Sequence, residues 1–279
     1  MTYWKLGRGL CLVVLAAFGI VLATAAEAQI ARFISTTGND GNECTFALPC
    51  RTLQRGINRV TAGGEVQILD SGTYGEVINI TKSVNVTADG VMATVGRIMI
   101  NAPDDTVALR GLHVSGRNVT ITFVGISVAA AAEVFITDCD IEGVPNPGSG
   151  VQISSADTKI AILRTTIRDH GAYGIIVGNT SSNIRLVVED TRIANNHNDG
   201  IRHLGPSGEV SVERSFFIGN GNAGFLVGNG AIGRISNSVV INNATGLQND
   251  ASTLQTRSNN LVRGNTSNVT GALTPVSGT

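Results

Sequence analysis

The apolar residues of this chain alternate along short runs instead of recurring at helical spacing. Ile126/Val128, Val151/Ile153 and Ile175/Val177 form one set, and Val134/Ile136, Ile160/Ile162 and Ile184/Leu186/Val188 a second. Alternation over four to six residues predicts short strands with one buried face. A glycine and an apolar residue lead each run of the first set, at Gly125-Ile126, Gly150-Val151, Gly174-Ile175, Gly200-Ile201, Gly224-Phe225 and Gly246-Leu247, 22 to 26 residues apart. Another column keeps step with it: Cys139, Thr165, Thr191, Ser215 and Ser238, each three residues after an aliphatic one. Four positions before each later glycine lie Asn146, His170, Asn196, Asn220 and Asn242. A unit of this length cannot bury its apolar face alone and must stack on its neighbours. Leucine-rich or helical repeats need a leucine spacing or a 3.6-residue period that this chain lacks. The pattern predicts an all-β fold, a parallel β-helix whose coils hold two or three strands each. Stacked asparagines would bridge successive coils through their amides, with His170 interrupting the column.

Outside the repeats the pattern changes. Lys5 and Arg8 precede the apolar run 10–26, and Ala26-Glu27-Ala28 fits a small-residue cleavage site, so residues 1–28 read as a secretory signal peptide. Residues 29–65 carry a strand over 31–35 and, after Pro49, an amphipathic segment with Leu53, Ile57 and Val60 on one face, ending at Gly63-Gly64. This helix is expected to cap the open end of the coil, whose edge would otherwise pair with another chain. Cys44 and Cys50 flank a short loop beside it; in an exported protein they are expected to form a disulfide. Cys139 sits in the Ser/Thr column and is expected to be a buried, inert thiol. The coils occupy residues 66–263, and 264–279 reads as a polar C-terminal tail.

The segments ARFISTTGNDGNECTFALPCRTLQRGINRV, GGEVQILDSGTYGEVINITKSVNV and VALRGLHVSG, followed by the glycine-led coils, resemble the right-handed parallel β-helix proteins of the pectin-lyase-like superfamily. They are similar in particular to exported bacterial β-helix proteins without an assigned activity. The resemblance implies a right-handed coil; the signal peptide implies a secreted or periplasmic location. That superfamily includes polysaccharide lyases, hydrolases and epimerases as well as non-catalytic surface proteins, and fold does not choose among them. Its enzymes work on the outer face of one sheet, where residues of adjacent coils converge.

Charge and chemistry narrow this picture. The formal net charge is −1, and loss of Lys5, Arg8 and Glu27 would move it to about −2, which gives no electrostatic reason to expect nucleic acid. A polysaccharide is the candidate partner, a protein partner the alternative, and no membrane span is expected once the signal is removed. Ionisable residues bunch at Arg168-Asp169-His170 with Tyr173, and one coil later at His197, Asp199 and Arg202. His170 or Tyr173 as base, Asp169 orienting the imidazole and Arg202 neutralising a uronate carboxylate would suit proton abstraction by a lyase or epimerase; His197 and Asp199 would bind. The competing reading is that these are solvated turns and that His170 stands in for an asparagine. Glycoside hydrolysis needs two carboxylates across the sugar, and no phased acidic cluster is legible. Asp138 and Asp190 share a column with Arg164 and Arg214, which predicts rows of ion pairs. There is no GxSxG or HExxH, and GNGNAG (219–224) reads as a coil turn. No cofactor or metal is expected. The only tryptophan, Trp4, leaves with the signal, so an aromatic sugar platform is poorly supplied. The alternative to a glycan-active protein is a non-catalytic scaffold presenting its face to a protein. Intact-mass analysis of the protein exported from a bacterial host is expected to give a chain beginning at Gln29; an uncleaved mass would overturn the signal-peptide reading.

Overall fold

Alternating β-formers bury one face of each strand, and the computed structural model winds them into a parallel solenoid. It describes residues 31–116, 124–143, 147–178 and 182–277; the expected signal peptide and Asn146 lie outside the described residues. Each regular coil has three strands. In one they are Val151–Ile153, Lys159–Leu163 and Thr166–Arg168, and in the next Ile175–Val177, Arg185–Glu189 and Arg192–Ala194. Partners align as Val151↔Ile175, Ile160↔Leu186 and Ile167↔Ile193, all parallel. The third strands build a nine-stranded ladder from Gly72–Thr73 to Leu261–Arg263 among the described residues. The earlier coils are less regular because Arg97–Arg110 and Ile126–Thr137 run through the first corner, with register shifts at Ile100/Asn101 and Ala102/Thr106. Pairing continues past residue 263: Ser267–Thr270 lies on Thr245–Asp250, and Thr274–Pro275 on Thr253–Thr256.

The N-terminal strand Arg32–Ile34 and helix Leu53–Arg59 adjoin the first coil. The Thr52 hydroxyl accepts from Arg55 N–H (3.3 Å) and donates to Asp40 Oδ2 (2.7 Å), while Asp40 Oδ1 takes the N–H groups of Arg51 and Thr52; this is an N-cap backed by a carboxylate. Gly56 lets the helix approach closely, since a Cβ there would lie 2.5 Å from Ile34 Cδ1. Cys44 and Cys50 form the expected disulfide. Cys139 is buried, and burial pushes its thiol up to about 11, consistent with an inert group.

Polar residues inside the coil hold it together by partnering along the stack. The backbone N–H groups of Cys139, Thr165, Thr191 and Ser215 donate to the hydroxyls of Thr165, Thr191, Ser215 and Ser238 one coil on, at 3.1–3.4 Å. At the next corner the amides of Asn196, Asn220 and Asn243 donate to the side-chain oxygens of Asn220, Asn243 and Asn265. The member of this ladder is Asn243, not the expected Asn242: that coil is one residue shorter before its glycine, and Asn242 takes the left-handed corner position (φ 58°). Asn220, Asn243 and Asn265 also donate to Ile193, Phe217 and Val240 carbonyls. His170 Nε2 donates to Ile141 C=O (3.1 Å), the equivalent carbonyl. His170 therefore does an asparagine's work inside the coil, 2 % exposed.

The ladder explains the glycines. A Cβ on Gly174 would lie 2.9 Å from Asn196 Nδ2 and 2.6 Å from Ile193 Cγ2; one on Gly150 would lie 2.7 Å from His170 Nε2. The polar column fills the volume a side chain would need.

Burial lowers the His170 pKa from 6.5 to about 4, only partly opposed by the Ile141 hydrogen bond and the nearby Asp169 and Glu142 charges. The folded state then binds fewer protons than the unfolded chain between these values, so stability rises with pH across that window and is lost as pH falls from about 6.5 towards 4. His170→Asn is expected to keep the fold and reduce this slope in urea unfolding, leaving the contribution of buried His203, whose pKa is also lowered by burial. An unchanged slope would overturn the assignment. Asn220→Ala, which orphans buried N–H groups, should cost about 1–3 kcal/mol.

Candidate functional site

Outward side chains of the third-strand ladder stand in rows, one residue per coil, and on its early coils they converge. The registers Thr94↔His113↔Asp140 and Ser115↔Glu142↔Arg168 place these residues on neighbouring strands Ala93–Val95, Leu112–Ser115, Asp140–Glu142 and Thr166–Arg168. Of these, His113, Asp140, Glu142 and Arg168 floor an open cleft of about 730 Å³, walled by residues 88–92 and by Arg110 and Asp138.

Hydrogen bonding fixes the polarity of the floor. His113 Nε2 lies 3.2 Å from Glu142 Oε1 and 3.8 Å from Asp140 Oδ2. An ionised carboxylate only accepts, so Nε2 carries the proton. In the neutral imidazole Nδ1 is then an acceptor, and the Thr94 hydroxyl, 3.1 Å away, donates to it. Arg168 reaches Asp140 Oδ2 (3.0 Å), Glu142 Oε2 and Asp169 Oδ2 (3.0 Å). Burial works against the Arg168 charge, but its contacts to Asp140, Asp169 and Glu142 more than offset this and raise its pKa. Asp140 Oδ1 is buried and accepts no hydrogen bond among the described residues.

One wall residue, Asp138, belongs to a column of corner residues in the left-handed region. Asp138 (φ 55°), Arg164 (47°), Asp190 (49°) and Arg214 (45°) stack in one column. Arg164 pairs with Asp138 through Nε (2.7 Å) and Nη2 (3.0 Å), Arg214 pairs with Asp190, and Arg110 lies between Asp89 (3.2 Å) and Asp138 (3.7 Å). The hydrogen bond from Arg164 chiefly holds the Asp138 carboxyl below its ordinary pKa. These are the ion-pair rows expected from the alternating column.

The residues singled out from the sequence fall into separate places. His170 is enclosed in the coil, so its ring faces no cleft. Asp169 sits at the outer corner beside Arg168 and Asn195. Tyr173, Asp199 and Arg202 do come together: the Arg202 guanidinium lies 5.5 Å over the Tyr173 ring and 3.1 Å from Asp199 Oδ2. Asp199 is fully buried and also accepts from Asn222 Nδ2 (2.5 Å) and Ala223 N–H (2.9 Å), which ties two coils together. His197 is exposed on the turn after the asparagine ladder. His203 points inward, its Nε2 donating to Gly208 C=O (3.0 Å). His113, Thr94 and Arg110 are missing from the expected set. Extending the register one coil upstream, so that Leu112-His113-Val114 aligns with Cys139-Asp140-Ile141, finds His113 and Arg110, and one coil more finds Thr94.

Residues 107–267, more than half of the chain, match the family described as right handed beta helix region. The chain belongs to that family. Among solved structures, the β-helix resembles that titled "Crystal structure of pectate lyase Pel9A", with a TM-score of 0.51 and 17 % identity, covering 88 % of this chain and 77 % of the other. At that identity the likeness is one of fold. A search of curated proteins gives no match. Among the described residues no helix is long and apolar enough to cross a membrane.

For metal binding, the relevant group is His113, Asp140 and Glu142, whose ligand atoms lie within 4.8 Å of one another. Arg168 already compensates both carboxylates, and calcium asks for six to eight oxygens. The arrangement fits a floor of mutually compensated charges. Arg168→Ala, which removes the cation joining two strands, is expected to destabilise by about 1–3 kcal/mol. Arg214→Ala at the more exposed corner should cost under about 1 kcal/mol. Equal losses in urea unfolding would contradict this ranking.

Proposed function

We propose that this β-helix protein is exported and holds a polysaccharide chain in the cleft over the third-strand ladder. The observation that carries the reading is the convergence of His113, Glu142 and Arg168, from three adjacent strands, on the floor of one open cleft, with Thr94 holding the His113 ring from the next strand. The wall and floor offer acceptors and donors along the coil axis, the geometry a linear sugar polymer needs. The disulfide and the cleavable leader expected from the sequence support export. His113 is the proton-transfer group of this reading: Glu142 holds the Nε2 proton, and Nδ1 is a base already accepting from a hydroxyl.

The scaffold alternative draws support from one observation, the charge compensation of the floor by Arg168. It predicts no glycan retention. A panel of plant, bacterial and fungal glycans, assayed for retention and for shortened or unsaturated products, separates the two. Retention by the wild type is expected, falling about tenfold or more in Glu142→Gln; any turnover should fall about a hundredfold in His113→Ala. Unchanged retention and turnover in both variants would remove the cleft as the site. His170→Asn should leave both readouts intact.

A further inference from the structure

The charge of the cleft specifies the sugar more narrowly, given the reading of the cleft as a glycan site. Its described lining carries four carboxylates, Asp89, Asp138, Asp140 and Glu142, against two guanidiniums, Arg110 and Arg168. Both cations are already placed between carboxylates: Arg110 between Asp89 and Asp138, and Arg168 among Asp140, Glu142 and Asp169. A uronate entering this cleft would meet excess negative charge and would have to draw an arginine away from its existing pairs. The described lining holds no Phe, Tyr or Trp, so stacking contributes little to offset that repulsion, and charge complementarity dominates selection. A calcium bridge is poorly served, because the convergent ligands are two carboxylates and an imidazole where calcium asks for six to eight oxygens. An ammonium group suits the same surroundings. It is a compact donor of three hydrogen bonds, and Asp89 and Asp138 at the wall are half-exposed, 54 % and 38 % accessible at the side chain. Arg110 and Arg164 already pair with them, but each carboxylate keeps further lone pairs for a second donor without giving up its arginine.

We infer that the cleft selects a glycan bearing free amino groups, a polymer of the glucosamine class, over neutral sugars and against polyuronates. The selection lies in the wall carboxylates, which meet substituents of the sugar, while His113 and Glu142 lie beneath.

Calorimetry on the chain from Gln29 to Thr279 tests this with three hexasaccharides: glucosamine, N-acetylglucosamine and galacturonate, the last with and without calcium. The glucosamine hexamer is expected to bind about tenfold or more tighter than the N-acetyl hexamer at low salt, with the gap narrowing at high salt. The galacturonate hexamer should bind more weakly than both. Asp89→Asn/Asp138→Asn should collapse the ratio of the first two affinities. Galacturonate binding as tight as glucosamine, in either buffer, would overturn the inference, and so would equal affinity for the two amino-sugar hexamers; either outcome leaves the cleft a glycan site. Oligolysine matching the glucosamine hexamer while the N-acetyl hexamer fails to bind would instead show charge attraction without sugar recognition. That outcome, or silence from every hexamer, would remove the glycan reading and this inference together.

Discussion

Parallel stacking at a single strand spacing imposes one demand on everything inside the coil: a polar group that turns inward must find its partner one coil above or below. The corners are where the chain cannot avoid such groups, since backbone N–H groups there leave the strand ladders. This protein meets the demand with a hydroxyl column at Thr165, Thr191, Ser215 and Ser238 and an amide column at Asn196, Asn220, Asn243 and Asn265. The glycines follow from the amides, which occupy the space beside Gly174 and Gly200. Three columns in the sequence are thus one packing solution seen at three positions.

The same dependence shows why most of the fold was legible in the sequence. Glycine, hydroxyl and amide repeat because each coil must reproduce the contacts of the last. The helix was legible for a different reason, its apolar spacing after Pro49, although it stops at Arg59, where Val60 turns extended.

The cleft was harder to read. Its key ring, His113, belongs to a coil with no leading glycine of the common pattern, next to strands that run through a corner with shifted register. Asp140 and Glu142 were visible as a pair, and the Cys139/Thr165 column sets Glu142 opposite Arg168, but His113 lies 27 residues before Asp140 on a strand whose alignment the irregular coils concealed. His170 shows the opposite limit. Periodicity placed it in the asparagine column, yet spacing alone could not say that a large, titratable ring would occupy the interior there. The carbonyl of Ile141 decides that. Outward residues are legible only where they repeat, as the Asp138, Arg164, Asp190 and Arg214 corner does; the cleft floor does not repeat, so its chemistry emerges only once neighbouring coils are superposed.

The corner of Asp138, Arg164, Asp190 and Arg214 adds a constraint on how such a protein can change its length. Attraction there joins residues one coil apart, and residues two coils apart carry the same sign. Loss of the coil carrying Arg164 or Asp190, or duplication of any one of these four coils, would bring acid onto acid or guanidinium onto guanidinium, whereas loss of both inner coils, or gain of two, restores the alternation. Each exposed pair contributes only about 0–1 kcal/mol, so the row biases growth without forbidding it. A solenoid whose backbone would accept any whole number of coils is thereby given a parity, written in side-chain charge on its outside edge.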